Sequence, residues 1–327
     1  MSTTITPLVR EVLPECVRTA TGAPSLHNSQ PWKFRIEGAR VDVYADPSRR
    51  LHVLDPQGRE QLVSVGAALF TLRLAVRRSG YRSDYTLFPD TDEPDLVARL
   101  TVTRPSPVSP AAEALAAAVA HRHTNRWPFA QIPVPREALD RLRDAARREG
   151  AVLALANPAG RDVVLRLARV ADERLRQRPG YCEELARWTG DRVRNDGVPP
   201  EAIGPWDALE SVPVRDFTEA SAQRRNGEAF EPYPTILVLA TEGDRKVDWV
   251  RAGQALQRTL LTATWQDLAT TPISQPVELP AVRRLLIEPG SGLAAQMVLR
   301  VGYGRAVEGS PRRPLSEVLL KSDHRRS

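Results

Sequence analysis

The chain has 327 residues, 42% of them hydrophobic and 26% charged. That composition fits one large or two modest globular domains and is long enough to bury a core without disulfide or metal staples. The net charge of +6 raises nucleic acid as a partner, but the cationic residues are nearly all arginines interleaved with acids, as in RRLHVLDPQGRE. A nucleic-acid face would cluster its charge with aromatic residues or a recognition motif, so a solvated arginine-rich surface is the reading, with part of the excess serving a bound phosphate.

Cys16 and Cys182 fit no CxxC or zinc spacing and read as free thiols of a reducing compartment. The first fifteen residues lack the basic and apolar regions of a signal peptide, and no run of about 18 apolar residues is present. A cytoplasmic protein without a membrane span is expected.

In chain order, a helix is predicted from Pro7 to Thr21, stopped by Gly22 and followed by the loop APSLHNSQPW. WKFRI and VDVYA alternate around Glu37-Gly38 as a β-hairpin. Val65, Leu69, Leu72 and Val76 place a helix over Gln61 to Ser79, with Gly80 as its stop. Val97 to Arg104 reads as a strand. The proline-rich RPSPVSP is the best internal boundary. Beyond it come a helix over Ala111 to Ala120, the segment RHTNRWPF, and a helix over Ala138 to Arg148. AVLALA is predicted as a buried strand and Arg161 to Arg176 as a helix. The span from Asn195 to Phe230 is long, rich in Pro and Gly and without periodicity, which marks a functional cover or disorder. TILVLAT reads as a buried strand, Val247 to Leu268 as a long helix, and Gln296 to Gly302 as a last strand before an arginine-rich tail. Strands and helices mix without regular βαβ alternation, so the fold class is α+β.

Two segments carry chemistry. In Pro24-Ser25-Leu26-His27-Asn28-Ser29-Gln30-Pro31, two prolines stiffen a polar loop that can offer backbone groups and the Asn28 and Gln30 amides to a planar ligand. In His121 to Phe129, Arg122 and Arg126 are forked donors suited to phosphate oxygens, and Thr124 adds a hydroxyl. His121 and His123 have no third metal ligand at a recognisable spacing, so no metal is expected. Gly302-Tyr303-Gly304 lacks the third glycine of a dinucleotide fingerprint, and no GxSxG or Walker A lysine is present.

The first segment resembles the APSxxNxQPW stretch of the nitroreductase superfamily, and the second resembles its RRSxRxF stretch, with Thr124 where Ser is usual. The order is reversed from that of dimeric members, and neither half of the chain carries both segments. This pattern resembles the Acg-type branch, a pseudo-dimer in which two related halves are fused. DPQGREQLVSVGAALFTLRLA, RAGQALQRTLLTAT, TTPISQPVELP and LRVGYG add to the likeness.

The resemblance implies an α/β/α sandwich with halves at 1–108 and 109–327 and a lid near 195–230. It implies one FMN, with Pro24, Ser25, Leu26, Asn28 and Gln30 along the ring and Arg122, His123, Thr124 and Arg126 at the ribityl phosphate. Ile273 and Ser274 would lie at the N5 edge. Arg312 and Arg313 are either late phosphate contacts or a solvated C-terminal cluster. The activity implied is flavin-mediated hydride transfer from NAD(P)H to an electron-poor small molecule, with no side chain as catalyst. The alternative is an FMN-sequestering protein with a closed lid. The chain would be a monomer or a homodimer.

Overall fold

A computed structural model describes residues 5–189, 194–217 and 225–321. The first half contains α1 (Ile5–Ala20), β1 (Trp32–Glu37), β2 (Arg40–Ala45), α2 (Arg59–Arg78), β3 (Tyr81–Leu87) and β4 (Leu96–Pro105). After α3 (Pro110–Ala118), the second half runs through α4 (Arg136–Arg147), β5 (Val152–Leu155), α5 (Pro158–Arg176) and α6 (Tyr181–Arg187). The two-residue strands β6 (Trp206–Asp207) and β7 (Gly227–Glu228) follow, then β8 (Thr235–Glu242), α7 (Lys246–Trp265), β9 (Ala269–Ile273), α8 (Gln275–Glu278), α9 (Pro280–Arg283), β10 (Leu293–Gly302) and α10 (Leu315–Val318). The fold is α+β.

Each half builds one antiparallel four-stranded sheet with the same wiring. The orders are β1-β2-β4-β3 and β5-β8-β10-β9, so in each the first, second, fourth and third strands stand side by side. The helix between the second and third strands is α2 in one half and α7 in the other. α2 packs on the first sheet, α7 on the second, and the two helices pack on each other. One hydrophobic core, reaching from Val9 of α1 to Val318 of α10, takes residues from both halves. The proline-rich stretch thus separates two sheets along the chain without separating two cores.

The contact between α2 and α7 is backbone to backbone. A Cβ on Gly66 would overlap the Val250 carbonyl oxygen, and a Cβ on Gly253 would overlap that of Val63. The contact is reciprocal, each glycine sitting against the residue three places before the other, as in an isologous interface.

Two expectations need correction. Tyr81–Leu87 is a strand that periodicity did not signal, because it is a mostly exposed edge. AVLALA is buried on one side only: Ala151 and Leu153 enter the core, but Val152, Ala154 and Leu155 are exposed, since β5 pairs only with β8 and forms the sheet's edge. The described residues of the span 195–230 are packed structure. Val198, Ile203 and Phe217 join Leu175, Tyr181, Leu185, Leu51 and Leu54 in a satellite core, which lack of periodicity could not reveal. Residues 218–224 of that span lie outside the described residues. No helix among the described residues is long and apolar enough to cross a membrane.

The glycine crossing is open to direct test. Gly66→Ala and Gly253→Ala should each destabilise by about 3 kcal/mol or more, because overpacking against rigid backbone outweighs the roughly 1 kcal/mol gain in helix propensity. Urea unfolding midpoints of the two variants check this.

Candidate functional site

The loop after α1 is strained and heavily tied down. His27, Asn28 and Gln30 all take left-handed backbone conformations (φ 49°, 53° and 49°), which non-glycine residues adopt at a cost and which concentrate at functional sites. Ser25 Oγ accepts from the Gln30 N–H at 2.9 Å, and Ser64 Oγ accepts from the Leu26 N–H at 3.4 Å. Asn28 Nδ2 donates to the carbonyls of Gly197 and Pro311, both at 2.9 Å. Gln30 Nε2 donates to the Asn195 carbonyl at 2.8 Å, and Gln30 Oε1 accepts from the Arg313 N–H at 2.8 Å. The loop is therefore stapled to the insertion and to the C-terminal stretch.

Segment 122–127 is held just as firmly. Thr124 bridges to Thr270, the Asn125 N–H donates to the Thr270 carbonyl at 2.9 Å, and Thr271 Oγ1 donates to the Asn125 carbonyl at 2.5 Å. An extended segment has been added along the free edge of β9.

These two segments, about a hundred residues apart, meet. A cleft of about 850 Å³ is walled by Pro24, Ser25 and Leu26 on one side and by the turn 271–275 on another. Glu60, Val63, Ser64 and Ala67 of α2 and Val212 to Arg215 and Phe217 of the insertion complete it. A smaller recess of about 430 Å³ adjoins it and shares Pro24, Ser25, Thr124 and Arg126. Arg122, His123, Asn28 and Arg312 line the recess.

The recess is cationic and uncompensated. Arg122 is 4% exposed, its Nε has no hydrogen-bond partner among the described residues, and its terminal nitrogen donates to the Gly22 carbonyl at 3.4 Å. Burial and the neighbouring Arg312 push its pKa down to about 9. Burial pushes Arg312 down to about 10, and its Nε is also unpartnered. Burial, Arg225 and Arg215 push Arg126 down to about 10. His123 falls to about 4 through burial, Arg122, Arg312 and His121. None of the three arginines forms an ion pair with a carboxylate among the described residues. The acid of the recess, Glu308, is exposed. A guanidinium does not readily lose its proton, so the crowding is borne as a destabilised cation that an incoming anion would relieve.

The cleft holds groups that the motifs did not flag. Arg215 donates to both oxygens of Glu278 at 2.6 Å and to the Tyr181 hydroxyl at 2.5 Å, all buried. Glu278 and Tyr181 hold its cation firmly against the burial that opposes it. Phe217 meets His27 edge-on at 5.5 Å and lies 5.0 Å beneath the Arg126 guanidinium. His27 is buried with Nε2 unpartnered, and burial, Arg215 and Arg126 hold it neutral, well below its usual pKa. Glu60 and Ser64 were hidden inside an apolar helix pattern. Their i, i+4 spacing on a buried helix face is the signal that would have found them.

Of the residues singled out from sequence, Pro24, Ser25, Leu26, Thr124, Arg126, Ile273 and Ser274 line the cleft, and Asn28, Arg122, His123 and Arg312 line the recess. Gln30 and Arg313 line neither. Gln30 is fully buried, and its amide bonds to Asn195 and Arg313. Arg313 donates to the carbonyls of Gln30 at 3.2 Å and Glu317 at 2.8 Å, so it is a local staple. Arg312 is neither solvated nor free, since it also reaches Asn28 Oδ1 at 3.1 Å.

The model of the nitroreductase family matches residues 119–303, more than half of the chain. The chain belongs to the nitroreductase family. Its relatives include two candidate NAD(P)H nitroreductases of Mycobacterium tuberculosis. Rv3131 is 32% identical over 318 residues, covering 95% of this chain and 90% of that protein. Acg is 30% identical over 330 residues, covering 98% and 99%. A solved nitroreductase-like protein of Bacillus cereus is similar over 68% of this chain and all of its own, with 16% identity and a TM-score of 0.40. The near-complete overlap with Acg assigns this nitroreductase to the Acg-type branch.

The charge crowding in this nitroreductase-family chain predicts a trade-off. Arg122→Met should raise the stability of the ligand-free protein by about 1–2 kcal/mol, because a buried, poorly satisfied charge is replaced by an apolar side chain of similar reach. Inorganic phosphate at low ionic strength should raise the melting temperature of the wild type and leave that of the variant unmoved. Urea unfolding and a thermal shift series check the two halves.

Proposed function

We propose that this chain is an FMN-dependent oxidoreductase, with the flavin ring in the cleft and the phosphate in the adjoining recess. The observation that carries the reading is the recess itself. Arg122 and Arg312 each keep an unpartnered, buried Nε, and with Arg126 they stand without carboxylate partners at the end of a cleft of ring-bearing size. That donor set fits a dianionic phosphate, which forked guanidinium groups bind by charge-assisted hydrogen bonds. Bound FMN would supply the two-electron redox chemistry that protein side chains lack.

In this reading Arg122, Arg126, Arg312 and Thr124 hold the phosphate end and fix how far the ring enters. Pro24, Ser25 and Leu26 form a stiff wall along one face, and their strained loop needs no rearrangement on binding. The backbone of Ile273 and Ser274 and the side chain of Arg215, fixed by Glu278, line the same cleft and would contact the ring and limit water there. The chemistry that bound FMN would supply is transfer of a hydride from NAD(P)H to an electron-poor small molecule. The NAD(P)H nitroreductase names of the relatives support this choice of reductant.

The identical strand order of the two sheets supports two related halves, near 1–108 and 109–327, fused into a one-site pseudo-dimer. A monomer follows, because the α2–α7 contact already lies inside one chain; a cytoplasmic setting without nucleic acid remains the reading of the sequence. One observation favours the alternative, an FMN-sequestering protein. Val212 to Arg215 and Phe217 form part of the cleft wall, and Arg215 is latched at 2.6 Å, where a nicotinamide would need room to stack.

The purified protein should be yellow or take up FMN, and anaerobic NADPH or NADH should bleach it. Colour that neither nucleotide bleaches would select sequestration, and a protein unable to take up FMN would end both readings. Arg122→Ala combined with Arg126→Ala should weaken FMN binding by about 10²–10⁴-fold, from about 1.5–3 kcal/mol for each charged hydrogen bond. Titration of flavin fluorescence measures it.

A further inference from the structure

Glu60 stands in the first turn of α2 and is 3% exposed, yet it forms part of the cleft wall. It is the one acidic side chain lining the cleft among the described residues. Its Oε1 accepts from Arg59, and Arg59 is itself fixed by the Gln296 carbonyl at 3.0 Å, the Gln296 side chain at 2.8 Å and the Val277 carbonyl at 3.2 Å. One carboxylate oxygen is therefore held rigidly. The other, Oε2, has no hydrogen-bond partner among the described residues.

We propose that Glu60 couples occupation of the cleft to uptake of a proton, its neutral carboxyl then donating a hydrogen bond to a carbonyl-type oxygen of the occupant. The inference rests on the flavin reading for its choice of probe. A ring filling the cleft strips solvent from Oε2, and desolvation penalises the ionised form. The neutral acid gains an O–H donor that the carboxylate lacks. The surroundings are already balanced for such a change. Burial is the largest influence on Glu60 and pushes its pKa up to about 7 against the opposing pull of Arg59. Asp55, before α2, and Glu278 of α8 push it up, and Arg283 of α9 pulls it down. Glu278 is neutralised by Arg215, and Arg283 is paired with Asp244. Across the cleft stand Arg126, Arg215 and a neutral His27.

The sign follows from linkage. Below the free-state value the carboxyl is protonated with or without a ligand, and affinity does not depend on it. Above that value the empty cleft holds a carboxylate, and binding must draw a proton from solution. Affinity then falls with rising pH, by up to about tenfold per unit, until the higher value of the occupied state is passed. A Glu60 that serves only to hold Arg59 gives no such dependence.

The probe is FMN added to the flavin-free full-length protein. Calorimetry is run at about pH 8, where the FMN phosphate, with its second ionisation near 6, is already a dianion and releases or takes up almost no proton. Two buffers of different ionisation enthalpy give the number of protons exchanged. The wild type should take up a substantial fraction of a proton and bind more weakly at pH 8.5 than at pH 6.5. Glu60→Gln keeps an acceptor for Arg59 and a permanent donor toward the cleft. It should lose the uptake, show pH-independent affinity and bind as tightly as the wild type does at pH 6.5. Absence of proton uptake by the wild type, or equal uptake by Glu60→Gln, overturns the coupling. Absence of uptake by the wild type overturns the coupling even if the variant fails to fold, and loss of uptake in Glu60→Gln separates Glu60 from His123 of the recess. Failure of FMN to bind at any pH refutes the cofactor reading together with this coupling, whereas binding without proton uptake refutes the coupling alone.

Discussion

The crossing of α2 over α7 at Gly66 and Gly253 is the constraint from which the site's geometry follows. Because neither residue has a Cβ, the helices approach until carbonyl oxygens fill the space where side chains would stand. That closeness sets one half against the other with little freedom to slide, since rigid backbone cannot repack as side chains can. The cleft draws on both halves: the loop after α1 and the start of α2 come from the first, and segment 122–126, the turn after β9 and Leu256 of α7 come from the second. A shift of the helix pair would move these walls apart.

The shared wiring also accounts for there being one such loop. Between α1 and β1 lie residues 21–31, eleven positions that hold the strained loop, whereas between α4 and β5 lie only residues 148–151, four positions. The second half has no room for a copy of that loop. The connection between the first two strands shows the opposite bias. It is two residues, 38–39, in the first sheet and the whole span 156–234 in the second. Among its described residues, Val212 to Arg215 and Phe217 wall the cleft, and the connection is secured by a satellite core shared with Leu51 and Leu54 and by the buried Arg215–Glu278 pair. Breaking such a pair by removing one partner leaves a buried charge unmatched, a cost of about 3–5 kcal/mol.

Legibility in the sequence tracks how local the chemistry is. The hairpin, the long helices and the two site segments were readable because alternation, helical spacing, stiff prolines and forked cations act within a few residues. Their meeting in space was readable only through the family likeness. Arg215 and Glu60 escaped because their significance lies in what faces them: one stands in an aperiodic insertion, the other beside apolar neighbours on a helix. Gln30 and Arg313 show the converse. Their residue types suit a ligand, but the loop's three left-handed residues need fixing from outside, and these two side chains do that work for one another. The exposed strands β3 and β5 illustrate a further limit, since edge position removes the burial on which hydrophobic patterning depends.

The recess and the loop share an energetic logic. Three guanidinium groups and His123 are brought together under poor solvation, and three residues are kept at positive φ; each feature opposes folding of the ligand-free chain. The opposition is sustained by a core common to both halves and by the hydrogen bonds that bind the loop to residues 195–197 and 311–313. A dianion entering the recess would relieve the repulsion without any side chain having to travel. In the proposed reading, part of the cofactor's affinity is thus set before it arrives, as strain and charge crowding built into the fold. Losing the anion would then lower the stability of the whole molecule as well as empty one site, because binding to the folded state alone shifts the folding equilibrium.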